Sequence, residues 1–135
     1  MTAAREQKLE NRDFSLSLFS FGFKHGPPDA DLVWDVRFLP NPYWVESLRD
    51  KTGLEAAVAA HALENTIGQE FFDLLKPMLL FLVRHHKSGK RDCLRIGIGC
   101  TGGRHRSVAV VENVRKWFDS EGIDLTVFHR DIEKQ

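Results

Sequence analysis

Apolar and polar residues follow two periods along the chain. From Phe14, Leu16 and Leu18 the spacing is two; it slips by one at Leu18-Phe19 and resumes through Phe21 and Phe23. That pattern predicts a strand with a bulge or frayed end. Lys24-His25-Gly26-Pro27-Pro28-Asp29 has turn chemistry, and Leu32–Val36 reads as a second short strand. Arg37–Trp44 contains two X-Pro steps, at Pro40 and Pro42, which exclude helix and predict a rigid loop leaving the strand. Residues 54–65 and 69–86 carry apolar side chains at helical spacing, and Pro77 predicts a bend or restart in the second of these helices. Leu94–Ile98 gives a third strand, residues 107–120 a helix stopped near Gly122, and Leu125–His129 a last strand. Strands alternating with helices predict an α/β fold: a single domain with a mainly parallel sheet of about four strands flanked by helices. Residues 1–13 lack periodicity and are expected to be a polar N-terminal tail, with the domain over 14–135.

Composition narrows the class. With 135 residues and 42% hydrophobic positions, the chain has enough apolar material for one core. The longest uninterrupted apolar run, Met78–Val83, falls far short of the ~20 residues a bilayer span needs. The polar N-terminus lacks the apolar stretch of a signal peptide, and two cysteines read as free thiols in a reducing compartment. A cytoplasmic location without membrane contact is therefore expected. Nineteen basic residues balance nineteen acidic ones, but the zero is a cancellation. Residues 84–106 hold seven Lys or Arg and one acid, a local +6, so the other 112 residues sum to −6. Within this segment Lys87, Lys90, Arg91 and Arg104 are candidate contacts to an RNA backbone.

The basic segment leads into Ile96-Gly97-Ile98-Gly99-Cys100-Thr101-Gly102-Gly103-Arg104-His105-Arg106-Ser107, a strand, a small-residue loop and a helix start. Free amides of a first helical turn converge at such a junction, at the positive end of the helix dipole, and select an anion. Gly102 and Gly103 permit a close backbone approach, Arg106 can fork two oxygens, and Ser107 can cap the helix or donate to the ligand. His105 is read as a donor to the anion. The loop lacks the Gly-x-x-x-x-Gly-Lys-Ser/Thr order, and no such motif occurs elsewhere in the chain, so P-loop ATPase or GTPase activity is not expected. The spacing Cys100, five residues, Arg106, Ser107 does match cysteine-dependent phosphatases, in which a thiolate attacks phosphorus. Cys100 and Arg106 are then the alternative catalytic pair, although Gly99 stands where such enzymes usually carry His. A glycine-rich turn with no ligand remains the third reading. The adjacent His85-His86 pair lacks the spacing of a helical metal site, and neither a metal nor a cofactor is expected.

At these residues the chain resembles the C-terminal domain of the RapZ/YvcJ family. The likeness rests on Phe19-Ser20-Phe21-Gly22-Phe23-Lys24, on Ala30–Trp44, on Ile98–Val108 and on His129-Arg130-Asp131. Full-length members resemble a two-domain protein with an N-terminal P-loop ATPase-like half. That half has no counterpart in these residues, so nucleotide hydrolysis is not expected of them. The resemblance implies a pocket for a phosphorylated amino sugar such as N-acetylglucosamine-6-phosphate. Its phosphate end would be formed by Thr101, Gly102, Gly103, His105, Arg106 and Ser107, and its sugar side by Asp35, Arg37 and Asn41 with Lys24 nearby; from the residues themselves, Cys100 is read as a backbone contributor to the phosphate loop and Trp44 as the aromatic to stack on a sugar ring. It also implies binding of small RNA, an adapter role toward a protein partner in regulating amino-sugar metabolism, and homo-oligomers. The expected function is therefore non-catalytic metabolite sensing.

Overall fold

A computed structural model describes residues 14–89 and 91–135; the expected tail and Lys90 lie outside the described residues. Four parallel strands, β1 (Ser15–Gly22), β2 (Leu32–Asp35), β3 (Cys93–Cys100) and β4 (Thr126–His129), form one sheet in the order β2-β3-β1-β4. Among the described residues four α-helices connect or flank them: α1 (Glu46–Arg49), α2 (Ala56–Leu63), α3 (Thr66–Ser88) and α4 (Arg106–Ser120). The α/β class and the parallel sheet are as the sequence predicts, whereas the one-turn α1 has no counterpart in that reading.

Even-numbered strand residues face the helices. Leu16 and Leu18 on β1 and Leu94, Ile96, Ile98 and Cys100 on β3 pack with Leu75, Leu79 and Val83 of α3 and Val110, Val111, Val114 and Phe118 of α4. The odd-numbered face is covered differently. Phe19 and Phe21 are buried there, Phe19 stacks on Phe128 at 4.8 Å, and Phe21 meets Phe23 edge-on at 4.8 Å. The slip at Leu18-Phe19 is therefore no bulge: β1 pairs β3 residue for residue from Ser15 to Gly22. A central parallel strand is buried on both faces and so reads as a continuous apolar run.

Pro77 does not restart the second long helix, because α3 runs unbroken from Thr66 to Ser88 with Pro77 on its exposed side. Asn65 caps it, its Oδ1 accepting from the Gly68 amide at 2.8 Å. No helix among the described residues is long and apolar enough to cross a membrane. The charged Asp31 cluster is structural: Asp31 pairs with Arg95 and Arg91, and the hydrogen bonds from Arg95 hold its carboxyl below the usual range.

Candidate functional site

The carboxyl ends of β1 and β3 meet where the chain leaves them in different directions, the loop after β1 crossing over the odd face and α4 covering the even one. Ligands of open parallel sheets bind at such ends. The loop from Thr101 to His105 sits directly on the end of β1. Gly103 has φ +79°, and a Cβ there would lie 2.5 Å from the Gly22 nitrogen; one on Gly22 would lie 2.4 Å from the Gly102 carbonyl carbon. Two backbones thus touch where only glycines fit. The Lys24 amide donates to the Thr101 carbonyl at 3.2 Å, and the Gly53 amide donates to that of Arg104 at 2.8 Å. The amides of Gly102, Gly103, Arg104 and His105 donate to no acceptor among the described residues.

Arg106 opens α4 and is only 6% exposed. Its Nη1 donates to the carbonyls of Arg37 and Leu39, and its Nη2 lies 3.5 Å from Thr101 Oγ1. The buried Nε has no partner. Burial presses the Arg106 pKa down, only partly offset by Cys100 and Asp35. Asp35 is not its ion-pair partner: that carboxylate grips Arg37 in a fork at 2.7–3.1 Å, and the Arg37 hydrogen bonds lower its pKa. A buried guanidinium facing no carboxylate calls for an anion from outside.

Beside it lies a cavity of about 610 Å³ whose lining includes Lys24, Asn41, Trp44, Cys100, Thr101, Gly102, His105 and Arg106. Gly103 and Ser107 stand behind its wall, fully or nearly buried. Ser107 does not cap α4; the N-cap is His105, which makes no side-chain cap bond, and Ser107 Oγ accepts from Cys100 Sγ at 3.1 Å. Asp35 and Arg37 lie outside the cavity lining, with Arg37 stacked 4.3 Å over the Phe23 ring. The His105 ring faces Arg49, whose carbonyl accepts from Nε2 at 3.0 Å. Burial lowers the imidazole pKa, against the raising effect of hydrogen bonds to the main chain of Arg49 and Lys51. His105 therefore ties the C-terminal end of α1 to the loop. Trp44, 75% exposed, stands edge-on to Tyr43 at the rim.

Sequence reading misses Tyr43, Arg49, Asp50, Lys134 and Gln135, which also line the cavity. Tyr43 stands within the Ala30–Trp44 segment but is not assigned a contact there; the other four come from two further segments that carry no motif. Arg104, grouped by sequence with RNA contacts, lines the cavity as well, its Nε donating to the Ile132 carbonyl at 3.0 Å. The lining thus holds five Lys or Arg side chains against the single acid Asp50. The other RNA candidates lie elsewhere. Lys87 ends α3 and Arg91 precedes β3, at the opposite end of that strand, some ~23 Å away at ~3.3 Å per residue; Lys90 is outside the described residues. Among the described residues no cluster of three metal-ligating side chains occurs.

The C-terminal segment locks this arrangement. Asp131, fully buried, accepts from the Gly22 amide at 2.7 Å and pairs with Arg130 and Lys134. The model of the RapZ C-terminal domain family matches residues 14–133. The chain belongs to that family. A nucleotide-binding protein of Halalkalibacterium halodurans is 48% identical over 126 residues, 93% of this chain and 42% of that relative. One from Caldicellulosiruptor bescii is 46% identical over 129 residues, covering 95% and 44%, and one from Geotalea daltonii 44% over 124 residues, covering 91% and 44%. The chain spans less than half the length of these curated relatives. The segments Phe19–Lys24, Ala30–Trp44 and Ile98–Val108, on which the family resemblance rests, supply β1, β2 and the loop between β3 and α4.

Proposed function

We propose that this domain is a non-catalytic receptor for a phosphorylated amino sugar, and that occupancy of the cavity is passed to an RNA or protein partner in the regulation of amino-sugar metabolism. The observation that carries the reading is Arg106: a buried guanidinium paired with no carboxylate among the described residues, beside a loop with four amides that have no acceptor among those residues, in a cavity lined by five cations. Phosphate oxygens complete such a set, with two on the guanidinium edge and the remainder on amides. Trp44 and Asn41 at the rim supply an aromatic face and a polar side chain suited to a sugar ring. Asp35 and Arg37 act beyond the lining, by holding the loop whose carbonyls anchor Arg106.

The relatives carry the name nucleotide-binding protein. Since this chain lacks the Walker sequence, we assign nucleotide binding to other parts of such proteins. The Cys100–Ser107 contact supports a second reading, a thiol-dependent phosphatase, in which the hydroxyl would steady a thiolate. Calorimetry with glucosamine-6-phosphate and N-acetylglucosamine-6-phosphate separates the readings. Receptor function predicts saturable binding that Arg106→Ala abolishes and Cys100→Ser retains, with no turnover of 4-nitrophenyl phosphate. Absence of binding by any hexose phosphate overturns it.

A further inference from the structure

The side chains around the cavity hold five cations, Lys24, Arg49, Arg104, Arg106 and Lys134, against the one acid Asp50. Among the described residues none of the five pairs with Asp50, and only Lys134 meets a carboxylate, that of Asp131, which it shares with Arg130. A phosphate monoester brings a charge of about −1.5 to −2, and so leaves roughly half of the surplus of four unmatched. At about 610 Å³ the cavity also falls within the ~300–1,000 Å³ of sites that enclose drug-sized ligands. It has room for more than a hexose monophosphate.

The sheet sets the cations apart. Arg106 reaches toward β2, its Nη1 donating to the carbonyls of Arg37 and Leu39 in the segment that follows that strand. Arg104, two residues earlier, turns the other way, its Nε donating to the Ile132 carbonyl in the segment that follows β4. Lys134 comes from that same segment, its Nζ 2.7 Å from Asp131. In the order β2-β3-β1-β4 these two strands are the opposite edges, three spacings of ~4.8 Å apart, or roughly 14 Å at the strand ends. Lys24 stands between the two groups, its Cε 3.8 Å from where a Cβ on Gly102 would lie. Neither Nη of Arg104 has an acceptor among the described residues, so its outer edge is free to clasp a second pair of oxygens. A monophosphate meets one of these groups, whereas a hexose with a phosphoryl group at each end of the ring meets both. We propose that the ligand is a sugar bisphosphate, with one phosphoryl group on Arg106 and the Gly102–His105 amides and the other on Arg104 and Lys134. The proposal rests on the receptor reading above and defines its ligand more closely.

Calorimetry at about 0.15 M salt, where attraction between exposed charges is screened beyond ~8 Å, compares glucosamine-6-phosphate with glucosamine-1,6-bisphosphate, which differ by one phosphoryl group. The bisphosphate is expected to bind the wild type about tenfold tighter, through one further set of charge-assisted hydrogen bonds. Arg104→Gln and Lys134→Gln are each expected to cut that ratio of affinities severalfold, and Arg106→Ala to abolish both bindings. Lys116→Gln removes an equal charge from the exposed side of α4, about 15 Å along the helix, and is expected to leave the ratio unchanged. Should Arg104→Gln lose its fold with the Ile132 contact, Lys134→Gln keeps the test, since Asp131 still holds Arg130 and the Gly22 amide. Equal affinities in the wild type, a ratio that survives both substitutions, or one that falls equally in Lys116→Gln overturns the proposal and leaves the receptor reading standing. Binding of neither sugar overturns both.

Discussion

A guanidinium that is almost wholly buried and meets only carbonyl and hydroxyl oxygens keeps its charge and much of its desolvation cost. Under the proposed receptor function, Arg106 is where ligand binding and folding would be coupled. With a sugar phosphate at a hundred times its Kd, linkage gives about 2.7 kcal/mol of added stability, or on the order of 10 °C in Tm for a domain of this size. Thermal shift should show this rise in the wild type and none in Arg106→Ala; Arg106→Lys should keep a fraction, since a point charge replaces a fork. Asp131 behaves in the opposite sense. Burial alone would raise its carboxyl, but Arg130, the Gly22 amide and Lys134 outweigh it and bring the pKa to about 2. A carboxyl depressed in the folded state contributes stability that is complete above its unfolded value near 4 and lost as pH falls through the folded value. The contribution is on the order of 2 kcal/mol. Urea titrations between pH 6 and pH 2 should show that loss in the wild type. Asp131→Asn should be less stable at pH 6, and its difference from the wild type should shrink toward pH 2.

Among the elements, the unit β3, loop, α4 was legible because three independent signals coincide there: an alternating strand, two glycines, and valines at helical spacing. The bulge that the sequence predicts in β1 and the restart that it allows at Pro77 in α3 are both absent, for one reason. Local pattern reports which residues are apolar, not how many sides are covered, and β1 is covered on both faces while α3 holds Pro77 on its solvent side. Pro77 costs α3 the hydrogen bond to the Asp73 carbonyl, and Ala in its place restores it at some loss of unfolded-state stiffness. Pro77→Ala is expected to stabilise the domain by about 2 kcal/mol, the helix-interior penalty of ~3 less ~1 for the freer unfolded chain, as measured by denaturant midpoint. Gly22→Ala acts the other way. Its Cβ would overlap the Gly102 backbone, so the loop must lift off β1. A loss of about 1–3 kcal/mol is expected from overpacking, together with weakened phosphate binding. The Asp35–Arg37 pair lay beyond sequence reading, because the two candidate ligands satisfy each other rather than the cavity.

Across the whole molecule, the basic stretch that looks continuous in sequence is divided by β3. Lys87 and Arg91 lie at the amino end of that strand, while Arg104 and Arg106 lie at its carboxyl end beside the cavity. Sites ~23 Å apart contribute independently to a polyanion contact, because that distance exceeds the ~10 Å Debye length at 0.1 M salt. If an RNA spans both ends, each cation removed should reduce the slope of log affinity against log salt by roughly 0.7–0.9. The two ends should nevertheless respond differently to the small ligand. Phosphate in the cavity neutralises charge around Arg104 and leaves Lys87 untouched. In a gel-shift assay, glucosamine-6-phosphate should displace RNA from the wild type and from Lys87→Ala, whereas Arg104→Ala should bind RNA more weakly and lose much of that competition. Equal competition in all three proteins would mean that RNA and sugar phosphate meet at Arg106 alone, and no competition that the cavity is not part of the RNA path.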